Sequence, residues 1–246
     1  MINKIKFIVL SLDVTLSKAF LYSQARFSLN LRDSIYSLIF RLSNNPPILT
    51  GSETKGMPEV DESKLGARSI YQEVSLSSAY ELERTPEILK LIISKNLNDI
   101  ENYLGKGFCY EQPIIFRNFN FPQEFAGYDI YSNVWHQDSF DGNKLLKIFV
   151  LMDKVTDTDG PFYYMDLDAV KLHWKNLRER WSFKSFVNVE QIPEQTILTG
   201  VKGDYLIIDT SRCMHRASIP SKHRDMLQIT LLPKWKKNDG TYVLEP

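Results

Sequence analysis

Three residues have the types and the spacing of a metal-binding set: His136, Asp138 and His215. His136 and Asp138 are two residues apart, so on an extended strand both side chains leave the same face. Two imidazoles and one carboxylate form the facial set that binds ferrous iron and leaves further positions for oxygen chemistry. The pattern therefore predicts an iron site, provided that the fold brings His215 to the strand of His136.

Arg224 is the candidate partner for a co-substrate. It lies nine residues after His215 (224 − 215), beyond a predicted turn at 219–222, and it begins the next predicted strand. The distal carboxylate of 2-oxoglutarate needs a charge partner when it is buried. A guanidinium meets a carboxylate with two hydrogen bonds. Arg224 is therefore well placed for such a carboxylate.

The order of these residues resembles a known family over about residues 107–233. The chain is similar to the phytanoyl-CoA dioxygenase family, whose members are Fe(II)- and 2-oxoglutarate-dependent oxygenases on a double-stranded β-helix. The resemblance is carried by 133–138 (NVWHQD), 146–153 (LKIFVLMD), 159–162 (DGPF), 203–209 (GDYLIID), 215–216 (HR) and Arg224.

The resemblance implies a set of roles. His136, Asp138 and His215 would bind Fe(II), and Arg224 would bind 2-oxoglutarate. Lys147, a lone cation in an apolar strand, would be a second contact to the co-substrate. The implied reaction uses O2 to oxidise, and in particular to hydroxylate, a small organic substrate, with release of succinate and CO2. Because Asp138 is present where halogenating relatives carry a small residue, the resemblance implies hydroxylation or another oxidation.

Two other functions stay open at this stage. A metal-binding isomerase or hydrolase on a cupin-type scaffold would not need Arg224 to face the metal. A non-catalytic jelly-roll binding protein could keep the three ligands without turnover.

The elements that must position these residues are predicted as short strands. The apolar run 145–152 predicts a buried strand, and further strands are expected near 108–116, 135–138, 162–165, 186–189, 196–198, 205–209 and 226–232. Many short strands separated by turns are typical of a sandwich or barrel. The predicted fold is therefore mainly β, a double-stranded β-helix (jelly-roll, cupin-like) over 107–233 with an inserted helix at 166–181.

Residues 1–106 are predicted to form a helical N-terminal region that packs on this core. Apolar stripes at 31–42 and 89–104 each predict a helix, and the second begins at Thr85 and Pro86 and ends at Gly105 and Gly107. The polar stretch 49–65 is expected to be a loop, and 234–246 a polar tail.

Composition excludes some function classes. The 246 residues contain 30 Lys+Arg and 30 Asp+Glu, and zero net charge argues against general nucleic-acid binding. No apolar run reaches the ~18 residues that span a bilayer. The two cysteines, Cys109 and Cys213, are expected to be reduced thiols. We expect a cytoplasmic enzyme with a small-molecule substrate, and nothing in the pattern indicates its oligomeric state.

Overall fold

The computed structural model describes residues 45–58, 73–75, 87–120, 133, 135–136, 138, 144–170, 172, 194–234 and 241–243. The predicted helix at 31–42 and the predicted strand at 186–189 lie outside these ranges. In the described part of the chain, no helix is both long and apolar enough to cross a membrane. Cys109 and Cys213 are buried free thiols, while the cytoplasmic location stays a prediction.

The described residues contain eleven strands in two antiparallel sheets. The strands are β1 (Leu49–Ser52), β2 (Glu73–Ser75), β3 (Cys109–Glu111), β4 (Ile114–Phe119), β5 (Leu146–Leu151), β6 (Phe162–Tyr164), β7 (Thr196–Leu198), β8 (Asp204–Ile208), β9 (His215–Ala217), β10 (His223–Leu232) and β11 (Thr241–Val243). In the larger sheet, β1, β8, β5 and β10 are neighbours in that order. β10 also pairs with β3 and β4, β2 pairs with β4, and β11 pairs with β3. The smaller sheet has the order β7, β6, β9.

The path of the chain alternates between the two sheets. β4, β5, β8 and β10 belong to the larger sheet, while His136, β6 with β7, and β9 come between them on the smaller sheet. This alternation winds the chain as a jelly-roll. The sheets face each other across a core in which the rings of Phe149 and Phe162 have centroids 4.6 Å apart. The prediction of a mainly β core is confirmed.

Two short helices cover the outer face of the larger sheet. They are α1 (Glu87–Lys95) and α2 (Leu97–Leu104), and their buried side chains share a core with the outward-facing residues of β5, β8 and β10. The prediction of one helix was wrong because Asn96 interrupts it. The side-chain amide of Asn96 donates to the carbonyl of Ile92 at 2.8 Å and to the Tyr205 hydroxyl at 3.1 Å. Leu97 is consequently 40% exposed, although the apolar stripe predicted it to be buried.

Two strands lie where the sequence predicted a loop and a tail. β1 pairs with β8, with Gly51 opposite Tyr205, and β11 pairs with β3. A Cβ on Gly51 would lie 2.4 Å from the Tyr205 hydroxyl oxygen, so a larger residue there would require the Tyr205 ring to move. Both strands are short additions to existing sheet edges. Their partners supply the hydrogen bonds, which local sequence patterns do not reveal.

The helix predicted at 166–181 begins where it was expected, and Asp166 is its N-cap. The Asp166 carboxylate accepts a hydrogen bond from the Ala169 amide at 2.7 Å, and the Val170 amide donates to the Asp166 carbonyl at 3.0 Å. A carboxylate at this position satisfies an unpaired amide of the first turn. Residues 173–181 lie outside the described ranges, so the length of this helix stays a prediction.

Gly160 provides a stability test of the turn before β6. Its φ is +70°, and a Cβ there would lie 2.4 Å from the Pro220 backbone nitrogen. We expect Gly160→Ala to lower the free energy of unfolding by more than the ~1 kcal/mol that a positive φ alone costs. Gly105→Ala is the control, because Gly105 has φ +94° and nothing within 4 Å of its added Cβ. Urea unfolding of both variants checks the difference, and equal losses would contradict it.

Candidate metal centre

His136 and His215 are direct cross-strand partners. The amide of each donates to the carbonyl of the other at 2.9 Å, which forms an antiparallel bridge at the edge of the smaller sheet. Residues directly opposite each other in such a pair project from the same face. Their imidazole centroids are accordingly 4.2 Å apart. The structure therefore brings together two histidines that are 79 positions apart in the chain (215 − 136).

Asp138 completes a group of three side chains. Its Oδ1 lies 3.8 Å from Nε2 of His136 and 3.7 Å from Nε2 of His215. All three candidate donor atoms lie within 4.8 Å of one another. The Asp138 amide donates to the carbonyl of Thr210 at 2.9 Å, which fixes the backbone from which the carboxylate projects.

The hydrogen bond at His215 determines which nitrogen faces the group. His215 Nδ1 lies 3.2 Å from the carbonyl oxygen of Cys213. A carbonyl can only accept, so Nδ1 carries the proton and Nε2 presents its lone pair toward Asp138. Burial and the neighbouring His136 lower the pKa of His215 from 6.5 to about 3. The ring is therefore neutral at pH 7, as a metal ligand must be.

Lys147 contacts the other oxygen of Asp138. Its Nζ lies 2.7 Å from Asp138 Oδ2, whereas Oδ1 faces the two histidines. Burial alone would raise the pKa of Asp138, but the ammonium of Lys147 outweighs it and holds this pKa below its ordinary value. The carboxylate is thus ionised. Its Oδ1 faces the two imidazoles, and its Oδ2 faces the Lys147 ammonium. The predicted contact of Lys147 with 2-oxoglutarate stays a prediction.

Lys147→Met should raise the pKa of Asp138 in the metal-free protein. The substitution keeps the length of the side chain and removes the ammonium that stabilises the ionised carboxylate. ¹³C NMR titration of the Asp138 carboxyl group measures the effect. Lys144→Met is the matched control. Lys144 is three positions before Lys147 and is buried, but its Nζ lies 4.6 Å from the centroid of the Tyr103 ring. An unchanged Asp138 pKa in Lys147→Met would contradict the role of the ion pair.

The donor set fits a divalent transition metal. Two neutral imidazoles and one carboxylate suit iron and its neighbours in the first transition row. With metal–ligand bonds of ~2.1 Å, two donors on one ion lie ~3.0 Å apart at a right angle and at most ~4.2 Å apart. The separations of Asp138 Oδ1 from the two Nε2 atoms, 3.8 and 3.7 Å, lie between these values, so the side chains would close slightly on a metal bound in a facial arrangement.

Arg224 is also buried, but it does not belong to the group of three candidate metal ligands. Its guanidinium donates to the carbonyl of Gly160 and, at 2.6 Å, to Oδ1 of Asn118. Gly160 precedes Tyr164 by four residues, and Tyr164 is the partner of His215 across β6 and β9. Arg224 thus contacts the turn before β6, whereas His215 pairs with the last residue of β6.

A second group of possible ligands repeats the His-x-Asp spacing: Asp153, His223 and Asp225. The spacing of His223 and Asp225 could have identified this group from the sequence. Asp225 is fully buried, and Arg117 binds both of its oxygens at 2.6 Å. The carboxylate that would anchor a metal there already has a bidentate cationic partner. Of the two groups among the described residues, the first is the better metal site.

Comparison with known proteins finds similarity at the level of structure. No family model matches the chain, and no curated protein matches it in sequence. HygX from Streptomyces hygroscopicus, solved with nickel and 2-oxoglutarate, aligns with 12% identity and a TM-score of 0.41 over 67% of this chain and 71% of HygX. The membership of the phytanoyl-CoA dioxygenase family stays a prediction.

Two further solved structures show the same kind of partial similarity. SnoN, a non-heme α-ketoglutarate-dependent epimerase from nogalamycin biosynthesis, aligns with 14% identity and a TM-score of 0.38 over 59% of this chain and 58% of SnoN. A nickel complex of the non-heme monooxygenase ThoJ aligns with 12% identity and a TM-score of 0.39 over 61% and 56%. The chain thus spans less than two thirds of the length of these two proteins.

Proposed function

We propose that this protein is an Fe(II)- and 2-oxoglutarate-dependent oxygenase that hydroxylates a small organic substrate. The observation that supports the proposal is the convergence of His136, Asp138 and His215, with both Nε2 atoms directed at one carboxylate oxygen. Iron bound by these residues, together with 2-oxoglutarate and O2, would supply the oxidation of a C–H bond, with succinate and CO2 as co-products.

The chain's own residues orient the ligands and shield one side of the site. The Cys213 carbonyl sets the tautomer of His215, and Lys147 directs one oxygen of Asp138 away from the histidines. The Phe162 ring stacks on His215 with centroids 5.4 Å apart and adjoins the apolar core between the sheets. His136 and Asp138 are 28% and 23% exposed. The site is therefore open on their side and closed on the side of His215, so substrate is proposed to approach from the open side.

Arg224 is proposed to bind the distal carboxylate of 2-oxoglutarate. The ligand carries a carboxylate at each end, so one end can reach the metal while the other extends along the barrel toward β10. Arg224 is 3% exposed, and a buried guanidinium is a strong partner for a carboxylate. Asn118 and Gly160 hold that guanidinium in place before the ligand arrives.

Succinate formation in air tests the proposed reaction. Purified protein with Fe(II) and 2-oxoglutarate should release succinate, and a true substrate should accelerate the release and acquire one atom from ¹⁸O2. His215→Ala should lose the activity, whereas His223→Ala, which removes a histidine of the second group, should keep it. A protein that binds iron and 2-oxoglutarate but forms no succinate with any substrate would contradict the proposal. Succinate release with a product that contains no ¹⁸O would indicate epimerisation or another oxidation instead of hydroxylation.

A further inference from the structure

The loop that follows β8 connects the two sheets and contacts two of the candidate metal ligands. We call residues 209–213 the hub loop. It leaves the larger sheet at Asp209 and leads, through Met214, to His215 on the smaller sheet. Asp209 and Thr210 have no exposed surface, so the loop is interior to the protein where it begins.

Asp209 organises the hub loop through its side chain and its carbonyl. Its Oδ1 accepts hydrogen bonds from the amide of Ser211 at 2.8 Å and from the hydroxyl of Ser211 at 2.5 Å. Its carbonyl accepts from the amides of Arg212 at 3.2 Å and Cys213 at 2.8 Å. One residue thus closes the whole loop into a single turn.

The closed loop presents two carbonyl groups to the metal centre. The Thr210 carbonyl accepts from the amide of Asp138 at 2.9 Å. The Cys213 carbonyl lies 3.2 Å from Nδ1 of His215. These two ligands come from segments that are far apart in the sequence, and the hub loop is in contact with both.

The helical layer on the other side of the larger sheet fixes Asp209. The Tyr103 hydroxyl of α2 donates to Asp209 Oδ2 at 2.6 Å, and Nε of Arg212 lies 3.7 Å from the same oxygen. Tyr103 is itself buried, with the ammonium of Lys144 over its ring. The position of the hub loop therefore depends on a residue of α2, outside the sheets that hold the site.

We infer that Asp209 is a positioning residue: through the hub loop it holds Asp138 and His215 in the orientation that metal binding requires. The inference rests on the proposed function in one respect, which is that the orientation serves metal binding. The orientation itself exists in the metal-free protein and can be measured there.

A buried carboxylate destabilises the folded protein unless it is paired or hydrogen-bonded, so its presence calls for a functional or structural reason. Asp209 is completely buried, and its burial raises its pKa above the ordinary value. Its hydrogen bonds with Tyr103 and Ser211 and its contact with Arg212 offset part of that cost. Residues that orient metal-bound histidines typically change metal affinity 10- to 100-fold when they are replaced.

The test uses the tautomer of His215 in the metal-free protein, measured by ¹⁵N NMR of the imidazole nitrogens. The chain has four histidines, and His223→Ala assists the assignment. In the wild type, His215 should carry its proton on Nδ1. In Asp209→Ala, the ring should become a mixture of tautomers, and Co(II) affinity should fall by roughly 10- to 100-fold. Tyr103→Phe removes a single hydrogen bond and should produce a smaller change in the same direction.

Two further variants separate positioning from general stability. Asp209→Asn keeps an acceptor for Ser211 and should restore both the Nδ1–H tautomer and most of the Co(II) affinity. Asp225→Asn alters another fully buried carboxylate, on Arg117, and should lower the melting temperature without changing the tautomer. The inference is overturned if Asp209→Ala and Tyr103→Phe keep the wild-type tautomer, or if Asp225→Asn changes it equally. A wild-type protein that shows the tautomer but binds no Co(II) would contradict the proposed function and leave the inference intact.

Discussion

Asp138→Ala is expected to weaken Fe(II) or Co(II) binding by at least about 100-fold, because replacement of residues that merely orient metal ligands already costs 10- to 100-fold. The substitution removes the only anionic donor of the group and leaves the Lys147 ammonium, 2.7 Å from the lost carboxylate, beside the histidines. A divalent cation would then meet a positive charge in place of a negative one. Metal titration under anaerobic conditions, with a competing chelator, measures the loss.

The second His-x-Asp group supplies the control for this experiment. Asp153→Ala removes an exposed carboxylate beside His223 and should leave the affinity unchanged. Asp138→Asn should also bind poorly, because it is neutral. Its amide oxygen can still accept a hydrogen bond from Lys147, so its stability should stay closer to the wild type. Equal metal affinity in Asp138→Ala and the wild type would remove Asp138 from the site.

Arg224→Met is expected to raise the dissociation constant for 2-oxoglutarate by roughly 100-fold and to spare metal affinity. Removing one partner of a buried charged hydrogen bond costs about 2–5 kcal/mol, and a factor of 100 corresponds to about 2.8 kcal/mol. Arg224→Lys keeps the positive charge but loses the planar guanidinium. Its dissociation constant for 2-oxoglutarate should lie between those of the wild type and Arg224→Met. Isothermal titration of 2-oxoglutarate into protein saturated with Co(II) measures the affinity.

Arg117 provides a matched buried arginine on the same sheet. Arg117 and Arg224 are 5% and 3% exposed, and they occupy positions in β4 and β10, which pair with each other. Arg117→Lys weakens the ion pair with Asp225 and should lower stability while leaving 2-oxoglutarate binding unchanged. If Arg117→Lys and Arg224→Lys weaken 2-oxoglutarate binding equally, Arg224 has no specific role.

The spacing of His136 and Asp138 is a local signal, and the structure places both beside His215. The strand predicted to carry them is not present among the described residues, where His136 forms an isolated bridge and Asp138 lies in a bend. The same local signal also occurs at His223 and Asp225. Among the described residues, the tertiary contact with Arg117 distinguishes the second group, because Arg117 binds both oxygens of Asp225. Residue spacing indicates where ligands can occur, whereas the charge environment decides which of them are available.

Other features depend on contacts that no local pattern carries. The break at Asn96 reflects a side chain that bonds to both the Ile92 carbonyl and the distant Tyr205 hydroxyl. β1 and β11 form because they pair with β8 and β3, which are already part of the larger sheet. The hub loop contacts Asp138 and His215 through backbone carbonyls, which have no residue-specific signature. Asp209 is visible in the sequence only as the end of a strand, although Tyr103, 106 positions away, is its partner.

The most direct test of the account is the anaerobic addition of Fe(II) and 2-oxoglutarate to the purified protein, followed by visible absorption spectroscopy. An Fe(II) ion chelated by the keto acid should produce a charge-transfer band that saturates at one equivalent of each. The band should be absent in His136→Ala, present in His223→Ala, and dependent on higher 2-oxoglutarate concentrations in Arg224→Met. No band in the wild type at saturating Fe(II) and 2-oxoglutarate, or an equal band in His136→Ala, would contradict the assignment of the metal centre.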